Sequence, residues 1–327
     1  MTAPLLSVRD LRTYFHTFSG VVKAVNGVSF DIGAGQVMGL VGESGGGKSV
    51  VGFSILGLID PPGRIEGGQI LLDGQDLVGA PEEALRRVRG RQISMVFQDP
   101  MTSLNPLHTV GRQMDEMLRL HTNLDAPARK AACIEMLESV GISRAAERLG
   151  AYPHQFSGGM RQRVVIAIAL LAGPRLIIAD EPTTALDVTI QSQILKLMRR
   201  QIAERGASMI LITHDLAVVS EMADHITVLY CGKVVERGLT RDVIGAPAHP
   251  YTRGLIDSIP DPRHRQTRLS QIPGTVPDIR NLPVGCSFRE RCPRAQALCA
   301  QADPPLTAQR ASLHAACHFP LTEAEAP

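Results

Sequence analysis

The eight residues Gly42-Glu43-Ser44-Gly45-Gly46-Gly47-Lys48-Ser49 match the pattern G-x-x-x-x-G-K-[ST], and their types suit the holding of a polyphosphate. Phosphate oxygens are bound where backbone N–H groups converge, and residues without a Cβ let the backbone approach them closely. The pattern carries this meaning only between a strand and a helix. The apolar run Val37 to Val41 supplies the strand, and the run from Lys48 through Ser49 and Val50 to Leu58 reads as the helix. Its N-terminus adds unpaired donors and the positive end of a dipole. Lys48 would then reach the β- and γ-phosphates, and the Ser49 hydroxyl would sit on Mg²⁺.

Three further stretches could complete that chemistry. Leu176 to Pro182 reads as a buried strand ending in the carboxylates Asp180 and Glu181. Neighbouring side chains on a strand point opposite ways, so the two acids can take separate tasks. Asp180 is expected to hold Mg²⁺, directly or through water, and Glu181 to polarise an attacking water. His214 follows the strand Met209 to Thr213; strand ends of parallel sheets are where ligands sit, which makes it a candidate γ-phosphate contact. Phe156-Ser157-Gly158-Gly159-Met160-Arg161-Gln162-Arg163 leads into the apolar helix Val164 to Ala172, with Ser157 as N-cap and two glycines leaving the first turn bare. One nucleotide hardly needs two anion-binding helix starts, so this one is expected to serve a nucleotide held by another subunit.

The elements that must position these residues follow from periodicity. Val8 to Phe15 and Val21 to Ile32 read as antiparallel strands around a turn at Ser19-Gly20, with Tyr14 and Phe15 placed where an aromatic could stack on a purine. Gly67-Gly68 and Asp73-Gly74 are expected to punctuate a further hairpin, and Ile93 to Gln98 to form a strand ending in a polar residue. From Pro100 to Pro153 the texture is helical: Val110, Met114, Met117 and Leu118 make one stripe, and Cys133, Leu137 and Val140 another, opened by Pro127 and closed by Gly141. Cys133 reads as a core thiol, and Cys231, in the strand Ile226 to Cys231, as packing. Met209 to Thr213 is preceded by a long helix that follows Ala185-Leu186-Asp187.

Composition limits the function. With 34 basic and 32 acidic residues in 327 the chain is nearly neutral, so no nucleic-acid footprint shows, and Arg86, Arg87, Arg89 and Arg91 read as a solvated face or a nucleotide-proximal rim. The N-terminus shows no secretory pattern, and the longest uncharged apolar run, Val164 to Gly173, is too short to cross a bilayer. A cytosolic chain is expected, with any membrane role supplied by partners.

Beyond His249-Pro250-Tyr251 the chain becomes rich in proline, at 260, 262, 273, 277 and 283, and holds four of its six cysteines, Cys286, Cys292, Cys299 and Cys317. This tail has few large apolar residues, so a cross-link or metal is expected to hold it. Disulfides are disfavoured in the cytosol, which puts metal chemistry first. Four thiolates suit Zn²⁺ or a [4Fe–4S] cluster, although the C-x5-C-x6-C-x17-C spacing matches neither common zinc ribbons nor the usual ferredoxin run. His314 or His318 could replace a thiolate on zinc, and free thiols remain open.

Taken together, the phosphate loop, Gln98, FSGGMRQR, LIIADEP, ALD and His214 stand in the order found in the ATP-binding cassette (ABC) transporter ATPases, which residues 5–245 resemble. HPYTRGL, IPGTVP and GCSFRERCP make residues 248–320 similar to the C-terminal extension of the oligopeptide/dipeptide/nickel importer branch. The resemblance implies an α/β P-loop NTPase core with an antiparallel β subdomain, and a nucleotide-binding domain over 1–247 with a helical subdomain at about 99–163. A cysteine-containing C-terminal extension over 248–327 completes the chain. It implies two cassettes facing head to tail, with ATP clamped between one subunit's Lys48 loop and the other's Ser157-Gly158-Gly159. Gln98 would touch Mg²⁺, sense the γ-phosphate and couple to membrane subunits; His214 would be the switch residue, Phe15 the adenine-stacking aromatic, and Asp187 a link across the dimer. Phe156 and Met160 depart from the usual Leu and Gln of the signature, and Gly46 stands where Ser is frequent.

The branch further implies a second, related ATPase subunit in a heterodimer, two permeases and an extracytoplasmic binding protein, with this chain peripheral on the cytoplasmic face of the inner membrane. A homodimer is left open. Members of the branch are similar in carrying these cysteines, and some hold an iron–sulfur cluster there. The expected function is ATP hydrolysis that powers peptide import. Nickel or glutathione import shares the same extension, and a soluble ABC ATPase or a redox-sensing module built on the cysteine tail are rivals of other classes.

Overall fold

The structure, a computed structural model, describes residues 3–183, 187–259 and 271–323. Ala185 and Leu186 of the ALD motif, and Pro260 and Pro262 of the proline-rich stretch, lie outside the described residues.

In chain order, alternation of apolar and polar residues makes β1 (Leu6–Thr17) and β2 (Gly20–Ile32), paired antiparallel from Leu6↔Ile32 to Thr17↔Gly20. The five buried residues of β3 (Val37–Val41) run into the phosphate loop and α1 (Lys48–Ile55). β4 (Gly63–Leu72) and β5 (Gln75–Asp76) form a hairpin around Asp73-Gly74, both at positive φ. Gly67-Gly68, expected to be a turn, instead lies inside β4. Gly68 sits at φ +92°, where β4 shifts register against β1, and a Cβ there would be 2.5 Å from the Asp10 carbonyl oxygen. A bulge and a turn ask for the same residue, which is why the pair reads alike in sequence.

Next come α2 (Glu82–Val88) and β6 (Ile93–Val96), which stops before Gln98. The helical stretch then holds α3 (Pro100–Ser103), α4 (Val110–His121), α5 (Ala126–Ser139) and α6 (Ala145–Arg148). Thr109 and Asp125 cap α4 and α5 by accepting from the N–H groups of Arg112 and Ala128. Val110, Met114, Leu118, Cys133 and Leu137 are buried as their spacing predicts. α7 (Gly158–Leu171), β7 (Leu176–Asp180), α8 (Val188–Arg205), β8 (Ser208–Thr213) and α9 (Leu216–Met222) follow. The remaining elements are β9 (His225–Tyr230), β10 (Lys233–Leu239), α10 (Thr240–Gly245), α11 (Pro250–Asp257), α12 (Ala297–Gln301), β11 (Thr307–Arg310) and β12 (Leu313–Ala315).

These elements gather into two compact units. The first comprises Met1–Gly33, Val37–Gly79 and Leu211–Pro327. It contains an antiparallel sheet of order β2-β1-β4-β5 and a second run of strands, β11-β12-β10-β9-β3, in which β3 and β9 are parallel and the rest antiparallel. The C-terminal extension thus builds β11 and β12 onto the same strand run that carries the phosphate loop. The second unit comprises Ala34–Gln36 and Ala80–Ile210, with β6 and β7 paired in parallel and the helices α2 to α8. Among the described residues no helix is long and apolar enough to cross a membrane.

Candidate functional site

In the first unit the phosphate loop is fixed by the close approach of neighbouring backbone. Gly42 (φ +152°) and Gly47 (φ +93°) would place a Cβ 2.2 and 2.1 Å from the carbonyl oxygens of Leu229 and Ala24, so no side chain fits at either. The Gly232 N–H donates to the Gly46 carbonyl at 3.1 Å, and the Gly46 N–H to the Glu43 carbonyl at 3.1 Å. Gly47 is the N-cap of α1, with no side chain to occupy the helix start. Lys48 is buried, and its ammonium donates to the carbonyls of Gly42 (2.8 Å) and Glu43 (3.0 Å), which holds the charge at the loop rather than in solvent. Ser44 and Gly45 are exposed, while Ser49 and Val50 are half-buried.

Phe15 and His214 belong to the same unit. Phe15 is half-buried in β1, paired with Gly63, whose missing Cβ makes room for the ring. Tyr14, the other aromatic expected near a purine, donates its hydroxyl to Asn26 Oδ1 at 2.8 Å. His214 is exposed directly after β8, and Asp215 caps α9 by accepting from the N–H groups of Ala217 and Val218.

In the second unit Asp180 is buried at the end of β7 and Glu181 follows it at φ +45°. That left-handed backbone is strained for a residue with a side chain, and such strain gathers at working sites. Gln98 Nε2 donates to Glu181 Oε2 at 2.9 Å, so the structure brings together two residues that are 83 positions apart. The Ser157 hydroxyl accepts from Met160 N–H at 3.4 Å as the cap of α7, whose first residues are Gly158 and Gly159. Met160 therefore contributes its backbone here. Phe156 is buried, with the Arg148 guanidinium 5.4 Å from its ring centroid. Asp187 caps α8, accepting from the Ile190 N–H at 3.0 Å, a local role that its place as the last residue of ALD did not announce. Of the arginine group, Arg87 pairs with Glu83, Arg89 with Glu82 at 2.7 Å, and Arg91 donates to the Ala172 carbonyl at 2.8 Å.

Cys286, Cys292, Cys299 and Cys317, spread over 32 residues, all line one cavity of about 10 Å³ together with His249 and His318. None is in a disulfide among the described residues. Burial raises the thiol pKa of Cys286 and Cys292, and pushes that of Cys317 up to about 11, with the neighbouring cysteines adding to it. Among the described residues, however, no three His, Cys, Asp or Glu side chains are grouped as one bound metal ion requires. The four thiols thus line one cavity, but no metal-binding group, for zinc or for an iron–sulfur cluster, is found among the described residues. Cys133 and Cys231 are buried elsewhere, and burial pushes both thiols up to about 11, in keeping with packing roles.

Sequence reasoning missed what surrounds Glu43. Its N–H donates to the Tyr251 hydroxyl at 2.8 Å, and its carboxylate accepts both Arg291 Nη1 (2.6 Å) and Arg291 Nη2 (2.9 Å). Tyr251 and Arg291 stood inside HPYTRGL and GCSFRERCP, read as markers of a branch and not as neighbours of a loop more than 200 positions away.

The chain is similar to known proteins. The family described as "ABC transporter" matches residues 25–184, and that described as "Oligopeptide/dipeptide transporter, C-terminal region" matches residues 235–299. A probable peptide ABC transporter ATP-binding protein, y4tR of Sinorhizobium fredii, is 47% identical over 315 residues, covering 96% of this chain and 94% of that one. This chain belongs to the ABC transporter ATPase family. Other relatives in it are the oligopeptide transport ATP-binding protein OppD of Escherichia coli, 46% identical over 98% of this chain and 94% of its own, and the dipeptide transport ATP-binding protein DppD of Bacillus subtilis, 48% identical over 93% and 91%. Among solved structures, the dimeric post-hydrolysis ATP-binding cassette MJ0796, bound to ADP and Pi, is 26% identical with a TM-score of 0.65, over 72% of this chain and 99% of that one. The P-loop cassette fold expected from the motifs is therefore the fold observed, and as an ABC ATPase the chain is an ATP-hydrolysing enzyme.

Proposed function

We propose that this chain is the ATP-hydrolysing subunit that powers import of peptides through a membrane ABC transporter. The observation that carries the reading is similarity along nearly the whole chain, extension included, to proteins named for oligopeptide and dipeptide transport.

In this reading the loop amides of Gly42 to Ser49 and the Lys48 ammonium grip the β- and γ-phosphates, Val50 continues the helix behind them, and Phe15 stacks on the adenine. Ser49, Gln98 and Asp180 are hard oxygen donors of the kind Mg²⁺ takes. Bound there, Mg²⁺ would neutralise charge on the phosphate oxygens. Glu181 polarises the attacking water, and the 2.9 Å hydrogen bond from Gln98 keeps that carboxylate turned toward the γ-phosphate sensor. His214 contacts the γ-phosphate. Ser157, Gly158 and Gly159 receive the nucleotide of a second cassette, and Asp187 communicates across the pair. The dimeric state of the MJ0796 cassette supports two facing subunits. ATP bridging both surfaces favours the closed pair, and hydrolysis removes the bridge.

The partners in this reading are a second, related ATPase subunit, two permeases and an extracytoplasmic binding protein, with the chain peripheral on the cytoplasmic face of the inner membrane. The nucleotide-binding domain spans 1–247, with the helical subdomain at about 99–163, and the extension spans 248–327. A [4Fe–4S] cluster would be held by Cys286, Cys292, Cys299 and Cys317; what favours it is that these four cysteines, none in a disulfide among the described residues, line one cavity. Its part would be structural, since ATP hydrolysis moves no electron.

Growth tests the reading. A strain lacking this gene, supplied with peptides as its source of a required amino acid, should stop growing and recover with the wild-type gene but not with Glu181→Gln. Unchanged growth and peptide uptake would reject peptide import.

A further inference from the structure

Two separate stretches of the C-terminal extension meet at one residue of the phosphate loop, and a third braces one of them. Tyr251, from the first, accepts the Glu43 N–H at 2.8 Å. Arg291, from the cysteine-bearing third, takes the Glu43 carboxylate in a two-pronged pair at 2.6 and 2.9 Å. The Pro273 carbonyl, from the second, accepts Arg291 Nε at 3.0 Å and so sets the plane of the guanidinium. Arg291 is only 5% exposed.

The supports behind these contacts are themselves fixed. Tyr230, Tyr251 and Phe288 form an aromatic cluster with ring centroids 4.7 to 5.3 Å apart, and the guanidinium carbon lies 5.9 Å from the Tyr230 and Phe288 rings. Tyr251 rides on α11, whose start is held by the His249 cap and by Glu236, which accepts the N–H groups of Ala248 and His249.

Glu43 is also the residue whose carbonyl accepts the Lys48 ammonium at 3.0 Å. Its N–H and side chain are held by the extension, and its C=O orients the lysine expected to reach the phosphates. A loop held before the ligand arrives spends less ordering entropy on binding, and a two-pronged guanidinium–carboxylate pair whose guanidinium is buried is a strong, directional hold.

We propose that Tyr251 and Arg291 are positioning residues of the phosphate loop, acting through Glu43 on Lys48, so that the C-terminal extension sets the affinity for ATP. The proposal rests on ATP being bound at this loop. The cysteine-bearing segment, which brings Arg291 immediately before Cys292, is thereby a structural input to nucleotide binding.

The test uses the full chain assembled in its transporter complex, with KM for ATP and kcat measured for Arg291→Gln, Arg291→Lys, Tyr251→Phe, Glu43→Gln and the Glu43→Gln/Arg291→Gln pair. Melting temperatures are followed in parallel. Loss of a charge-assisted pair should raise KM of Arg291→Gln by about tenfold, with kcat at saturating ATP within about twofold of wild type. Arg291→Lys, which keeps the charge and loses the fork, should fall between the two. Tyr251→Phe, which deletes one oxygen, should raise KM by roughly threefold. In the Glu43→Gln background, adding Arg291→Gln should change KM by less than about twofold, because both act through one pair.

A lower melting temperature with unchanged KM in Arg291→Gln and Tyr251→Phe would overturn the proposal, as would independent, multiplying effects of the two substitutions in the pair. If Arg291→Gln does not fold, Tyr251→Phe decides. Stimulation of the wild-type complex by peptide, measured alongside, separates the two readings: its loss rejects peptide import, while the KM pattern alone judges the positioning role.

Discussion

Gly47→Ala isolates the geometry of the phosphate loop. The added Cβ would stand 2.1 Å from the Ala24 carbonyl oxygen, against an ordinary contact that begins at 3.4 Å. The start of α1, and with it Lys48, must therefore move by about 1 Å, a displacement that costs on the order of a hundredfold where geometry controls binding and reaction. The φ of +93° adds backbone strain of about 1–2 kcal/mol for any residue with a side chain. Gly173→Ala separates the two effects, because Gly173 is also left-handed, at φ +67°, but its Cβ would meet nothing within 4 Å. Measured by titration with ATP and by thermal melting, Gly47→Ala should lose about a hundredfold in ATP affinity as well as stability. Gly173→Ala should lose only about 1 kcal/mol of stability and bind ATP normally. Wild-type ATP affinity in a folded Gly47→Ala chain would refute the reasoning.

Three other outcomes follow from the same contacts. Glu181→Gln keeps the size of the side chain but removes the base, so hydrolysis should fall by about a thousandfold while ATP binding stays within about twofold, read by phosphate release and nucleotide titration; retained turnover would reassign the base. Burial raises the Glu236 carboxyl to about 7 from an ordinary 4.5, against the pull of its hydrogen bonds, so the folded chain holds a proton that the unfolded chain releases. The stability this group contributes is complete below about pH 4.5 and is lost as pH rises through about 7, by on the order of 3 kcal/mol, and Glu236→Gln should flatten the melting temperature across that window. On the proposal that the four cysteines hold a cluster, Cys286→Ser should lower iron and sulfide content and the yield of folded protein together; an unchanged yield with no iron in the wild type would leave the four thiols as packing.

What the sequence made legible was local. The phosphate loop, the Ser157 cap, the carboxylates ending β7 and the buried stripes of α4 and α5 each depend on neighbours within a few residues, so spacing alone reveals them. The hydrogen bond between Gln98 and Glu181 needed the parallel pairing of β6 with β7, which periodicity does not encode. The two residues holding Glu43 were less visible still, because a tyrosine in a helix start and an arginine between cysteines each have ordinary local explanations. Gly67-Gly68 shows the opposite failure, since a strong local signal was assigned to a turn when the strand needed a bulge.

Peptide import is tested most directly by ATP hydrolysis in the reconstituted complex, with its binding protein loaded in turn with dipeptides, longer peptides or nickel. The account predicts that a peptide-loaded binding protein stimulates hydrolysis and that Glu181→Gln abolishes the stimulated rate. Stimulation by nickel alone, or failure of the chain to assemble with any permease, would contradict it.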